Sequence, residues 1–107
     1  MSSFDEREKS YEKKFERDQE LAFKAKARRN KLLGLWAAEH MGLAGASAEG
    51  YARELVEGEL RHHADDELIA KIVRDAAAKG VTLDPHRVRA ELLSCAAEAK
   101  KQLGVPG

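Results

Sequence analysis

Four histidines and a single cysteine are the residues best suited to acid–base, nucleophilic or metal chemistry, and their spacing supports none of it. His62 and His63 stand beside Asp65 and Asp66, so imidazoles and carboxylates are close together. Adjacent residues on a helix point about 100° apart, however, and no second ligand pair at i, i+4 completes a metal site. A structural turn is the better reading of that stretch. His40 and His86 are expected at the surface or at helix ends. A histidine there titrates near neutrality, which leaves pH-dependent association as a hypothesis. Cys95 is flanked by Ser94, Ala96 and Ala97, none an activating base, and reads as a buried structural thiol. No phosphate loop, dinucleotide fingerprint or zinc-ribbon spacing occurs. The expectation is a protein without catalytic residues, metal or cofactor. Non-covalent nucleotide binding to a basic patch is the one weak exception.

The chemistry the sequence does support is recognition. From Ser2 to Lys31 there is no Gly, Pro or His, and Phe4, Tyr11, Phe15 and Phe23 place four of the six aromatic residues in the first 23 positions. At about 100° per residue, Phe4, Tyr11, Phe15 and Ala22 fall within a band of roughly 40°, narrower than the stripe of a core-facing helix. Nearly everything between them is charged. Ser2 to Glu20 mixes seven acidic with five basic residues, whereas Leu21 to Lys31 has five basic and no acidic ones. The block Lys24, Lys26, Arg28, Arg29 and Lys31 can be a solvated face, a nucleic-acid patch or a dock for an acidic partner. The neighbouring aromatic stripe favours the dock.

Magnitudes point the same way. Burying three aromatic side chains is worth about 1.5–3 kcal/mol each, whereas ordering backbone costs about 1–2 kcal/mol per residue. Residues 1–20 are therefore expected to be a mobile arm that gains a fixed shape in a partner's groove. An ordinary solvated helix at a domain edge is the alternative.

The elements that must carry this arm form a small all-α body, expected over residues 21–107. Leu32-Leu33-Gly34-Leu35-Trp36 continues the first helix, with Trp36 as main core anchor and Gly34 either packing closely or permitting a bend. Gly42 and Gly45 end it. Ser47 is the expected N-cap of a second helix carrying Tyr51, Ala52, Leu55, Val56 and Leu60. Asp65-Asp66-Glu67 opens a third, with Leu68, Ile69, Ile72, Val73 and Ala76 inward and Lys79-Gly80 as its end. Asp84-Pro85 caps a fourth, whose inner face is Val88, Leu92, Cys95, Ala96, Ala99 and Leu103. Val81-Thr82-Leu83 reads as a link between helices. Short connections predict that consecutive helices are antiparallel neighbours in a four-helix bundle.

Composition bounds the rest. The chain has 107 residues, 36% charged and 43% hydrophobic, with formal net charge +0, which argues against a protein built mainly for nucleic acid or anionic membranes. A lone cysteine suggests a reducing compartment, no apolar run approaches the roughly 20 residues of a membrane span, and a charged start argues against a secretory signal. A soluble intracellular protein is expected.

Phe4-Asp5-x-Arg7-Glu8-x-x-Tyr11-Glu12-x-Lys14-Phe15, followed by Ala27-Arg28-Arg29-Asn30-Lys31-Leu32-Leu33-Gly34-Leu35-Trp36-Ala37-Ala38, resembles the bacterial ATPase inhibitor zeta subunit family. The resemblance extends over essentially the full length, and its N-terminal third is the specific part. It implies a four-helix protein that opposes ATP hydrolysis by the catalytic head of the F-type ATP synthase. Its mobile N-terminal segment would enter an interface between the alpha and beta subunits and reach towards the gamma shaft, by analogy with the mitochondrial inhibitor protein. It further implies Phe4, Tyr11 and Phe15 as apolar anchors, Arg7 and Lys14 as charge partners, and Arg28, Arg29 and Asn30 as docking contacts where arm joins body. The location implied is cytoplasmic, peripheral to the inner membrane. A generic helical adaptor, or an RNA-binding bundle using the basic block, is the rival reading.

Overall fold

The structure is a computed structural model that describes the backbone of residues 3–59 and 64–105 and the side chains of 17–58 and 64–105. Its elements are α1 (Ser3–His40), α2 (Ala46–Glu59), α3 (Asp65–Ala78) and α4 (Pro85–Gln102), with no strand among the described residues. This is the expected all-α, four-helix architecture. The histidine pair His62-His63 and Leu60 lie outside the described residues.

Local chemistry sets the helix ends. At the end of α1, Gly42 adopts φ 80°, a conformation glycine takes without steric cost. Leu43 N–H then reaches back to the Ala38 carbonyl at 2.9 Å, and Gly42 N–H to that of Glu39 at 3.1 Å. This pair of hydrogen bonds satisfies carbonyls that a helix end otherwise leaves bare. The same pair recurs at Gly80 after α3 and at Gly104 after α4. α4 begins as expected: the Asp84 carboxylate accepts from His86 N–H at 2.8 Å, with Pro85 in the first turn. α2 differs. Ala46 is its first residue and the Gly45 carbonyl already accepts from Glu49 N–H, so Ser47 lies inside the first turn and is not the cap. α3 starts after Ala64, which offers no side-chain cap, and Asp65, Asp66 and Glu67 supply negative charge to its positive end instead.

The core joins Leu33, Ala37 and Met41 of α1, Leu55 of α2, Leu68, Ile69, Ile72 and Ala76 of α3, Leu83 of the link, and Val88, Leu92 and Cys95 of α4. Trp36 is not its centre. The indole is only partly buried against the cluster's edge, between the His40 ring at 4.6 Å and the Arg87 guanidinium at 5.7 Å. The centre is filled by Leu33, Leu55, Ile72, Val88 and Asn30. α1 and α2 approach too closely there for a larger side chain, because Gly34 lies directly against Ala52.

Sequence order accounts for part of the packing, since the consecutive pairs α1–α2 and α3–α4 are neighbours. α1 is the common strut: it packs most extensively on α2 and next on α4, its most distant neighbour in the chain. α2 and α3 are tied by polar side chains, with Tyr51 Oη donating to Asp75 at 2.9 Å and Lys71 paired with Glu54 at 3.5 Å. α1 has 38 residues, about 57 Å at 1.5 Å per residue, and the whole chain measures 66 × 26 × 23 Å. The helical backbone crosses residues 20–21 without a break.

Candidate partner-binding surface

The sequence-predicted contacts Phe4, Arg7, Tyr11, Lys14 and Phe15 lie on the N-terminal part of α1, and their side chains are outside the described residues. What the structure supplies is the helix that carries them and the manner of its anchorage in the body.

Arg28, Arg29 and Asn30 separate into two groups. Arg28 is exposed and donates from Nη1 to Gln102 Oε1 at 3.2 Å, tying α1 to the last turn of α4. Arg29 and Asn30 are buried. Arg29 Nε donates to Asn30 Oδ1 at 2.9 Å and its Nη2 to Asp65 Oδ1 at 3.1 Å, while Asn30 Nδ2 donates to the Leu55 carbonyl at 3.4 Å. The pair therefore stitches α1 to the start of α3 and to α2. As the chain is folded, these two residues face inward and are not surface contacts, because a buried guanidinium and amide need internal partners. Sequence reasoning missed this, since a run of basic residues gives no sign of which one turns inward. The helical phase that buries Leu33 and Ala37 was the available signal.

Beside this anchorage lies an open groove of about 540 Å³ between α1 and the end of α4. Its floor is apolar, with Leu21, Ala22 and Ala25 on one wall and Ala96 and Val105 on the other. Asp18, Lys26 and Lys100 stand around it and Arg29 at its inner end. Lys24 pairs with Glu20 at 3.1 Å.

No arrangement for catalysis is present among the described residues. No group of three or more His, Cys, Asp or Glu is placed to hold a metal. Burial, then the charge and hydrogen bond of Glu91, push the Cys95 thiol up to about 11, the reverse of what a nucleophile requires. Burial together with the hydrogen bond to Asp75 raises Tyr51 well above its ordinary value. For Lys71 burial lowers the pKa, but the Asp75 bond and the charges of Asp75 and Glu54 outweigh it, so the ammonium is held charged. Tyr51 and Lys71 thereby bind α2 and α3 together. No helix among the described residues is long and apolar enough to cross a membrane.

Residues 1–102 match the family model of the ATPase inhibitor subunit zeta. No curated protein and no solved structure matches the chain. With a four-helix body, a first helix that outruns it, and a family match over nearly the whole length, the chain belongs to the ATPase inhibitor subunit zeta family.

Proposed function

We propose that this inhibitor subunit stops ATP hydrolysis by lodging residues 1–20 in an interface between the alpha and beta subunits of the F-type ATP synthase head. Its tip points towards the gamma shaft. Phe4, Tyr11 and Phe15 are the apolar anchors, Arg7 and Lys14 the charge partners, and Arg28 a docking contact at the base. Arg29 and Asn30 act from inside, holding α1 at the angle from which it projects. The protein is a regulator without catalysis of its own, held in the cytoplasm at the inner membrane through the synthase.

The observation that carries this reading is the continuity of α1 from Ser3 to His40, since α4 reaches only to the level of Arg28 and the groove beside Asp18. A segment of 17 residues is about 25 Å long, enough to wedge between two subunits. Inhibition is then mechanical. The helix holds one interface in a single conformation, and the cycle of opening and closing cannot proceed.

The test is ATP hydrolysis by the isolated catalytic head, with the full-length protein and with a variant lacking residues 2–20. The full chain inhibits and the shortened one does not. Full inhibition by the shortened protein refutes the arm. Salt-sensitive RNA binding without any effect on the head would favour the adaptor reading.

A further inference from the structure

Three consecutive residues of α1 each reach a different helix. Arg28 Nη1 donates to Gln102 Oε1 at 3.2 Å, Arg29 Nη2 to Asp65 Oδ1 at 3.1 Å, and Asn30 Nδ2 to the Leu55 carbonyl at 3.4 Å. Gln102 closes α4, Asp65 opens α3 and Leu55 belongs to α2. A single turn of α1 is thus fastened to all three of the other helices. The contacts also brace one another, because Arg29 Nε donates to Asn30 Oδ1 at 2.9 Å and Gln102 Nε2 to Glu98 Oε1 at 3.3 Å.

Burial changes at the same level. Among residues 17–27 Ala25 alone is buried, whereas Arg29, Asn30, Leu33, Ala37 and Ala38 are all buried in the stretch that follows. Opening a helix from its end costs little per residue where few side chains are covered, so fraying runs inward until packing or side-chain bonds resist it. N-terminal to Arg28 there is little of either. From Arg28 to Asn30 the next three steps must break bonds to α4, α3 and α2 in turn.

We propose that Arg28, Arg29 and Asn30 form a collar that fixes the root of the arm, and that Asp65 and Gln102, which anchor the two arginines, are positioning residues for inhibition. Neither belongs to the arm. The proposal rests on the arm reading above, because it takes the collar as the boundary between a segment that exchanges between free and lodged states and a body that does not. The collar keeps that exchange from loosening Leu33 and the core behind it. It also holds the body to the arm once the arm is lodged.

Two measurements on the full chain test it. Amide hydrogen exchange of the free protein is followed in increasing urea below the unfolding transition. In the wild type, amides of residues 21–27 exchange at rates that urea leaves unchanged, the mark of local opening, while those of Leu32 and Leu33, whose helical acceptors are the carbonyls of Arg28 and Arg29, exchange only through urea-sensitive opening of the body. In a full-length variant combining Asp65→Ala with Gln102→Ala, Leu32 and Leu33 join the urea-insensitive class, and Ile72 and Leu92 stay urea-sensitive. Bonds that only added stability would quicken all these amides together without changing their class. That result, or a wild type with no change of class near Arg28, overturns the collar. In the hydrolysis assay the same variant raises the half-inhibitory concentration several-fold while saturating protein still inhibits fully, because a root fixed only part of the time lowers apparent affinity in proportion. An unchanged half-inhibitory concentration overturns the positioning role. Failure of the arm is read separately, from wild-type inhibition by a full-length Phe4, Tyr11 and Phe15→Ala variant.

Discussion

Replacing Gly34 with Ala sets two effects of similar size against each other, and the geometry decides the sign. Alanine favours a helix interior by about 1 kcal/mol over glycine, so helix propensity alone predicts stabilisation. A Cβ at Gly34, however, would stand 2.6 Å from Ala52 Cα, 3.1 Å from Ala52 Cβ and 3.2 Å from Leu55 Cδ1. Carbon atoms are comfortable at about 3.5–4.0 Å. The Leu55 methyl can turn aside, but Ala52 Cα is backbone and moves only if α2 moves, so the helices must part by roughly 1 Å. Overpacking of this kind costs about 1–3 kcal/mol. With the contact against backbone, the net loss should be about 1–2 kcal/mol. For a domain of this size each kcal/mol corresponds to about 4–8 °C in Tm. Urea unfolding followed by circular dichroism should show a lower midpoint at unchanged slope. Gly50 in α2 is the control, since a Cβ there meets nothing within 4 Å, and Gly50→Ala should stabilise by about 0.5–1 kcal/mol. If both variants gain stability equally, the close approach of α1 to α2 is wrong.

Replacing Phe4, Tyr11 and Phe15 together with Ala should weaken inhibition of ATP hydrolysis by several kcal/mol at most, on the order of 10²-fold in half-inhibitory concentration, with the melt unchanged. Arg29→Met keeps the bulk but removes a donor to buried Asn30 and the pair with Asp65; a loss of about 1–3 kcal/mol in denaturant unfolding is expected, and an unchanged midpoint would show the clamp to be idle. Alkaline stability should fall from pH 9.0 towards about 11, because the thiol of Cys95 ionises near 9.0 when unfolded but only near about 11 when folded. Its contribution is complete below that range and is lost as the pH rises through it. Cys95→Ala should flatten this decline, and an equally steep decline in the variant would count against it.

Much of the body was legible in the sequence. Helix ends at Gly42, Gly80 and Gly104, the Asp84-Pro85 start and the buried rows Leu68, Ile69, Ile72, Ala76 and Val88, Leu92, Cys95, Ala99 follow from local chemistry and period. What escaped depends on pairs distant in the chain. Trp36 was expected as the main core anchor, yet it lies partly buried against the cluster while Leu33 and Leu55 are the fully buried side chains. Ser47 has the right chemistry for a cap, but Gly45 lets α2 start earlier. The helical phase of Leu33 and Ala37 hints at the inward turn of Arg29, but its partner Asp65 lies 36 positions away. The packing of α1 on α4, and hence the groove, is likewise a matter of topology that periodicity does not encode.

Once the arm is held in a partner's groove, α1 is one continuous helix that is also the central strut of the body, so its outer end is then keyed to the core like a blade on a shaft. One extra residue between Glu20 and Leu21 would swing the tip by about 100° and advance it about 1.5 Å. Seven extra residues would restore its facing to within about 20° but lengthen it by about 10 Å. In the docked helix, reach and azimuth are thus both written in a residue count.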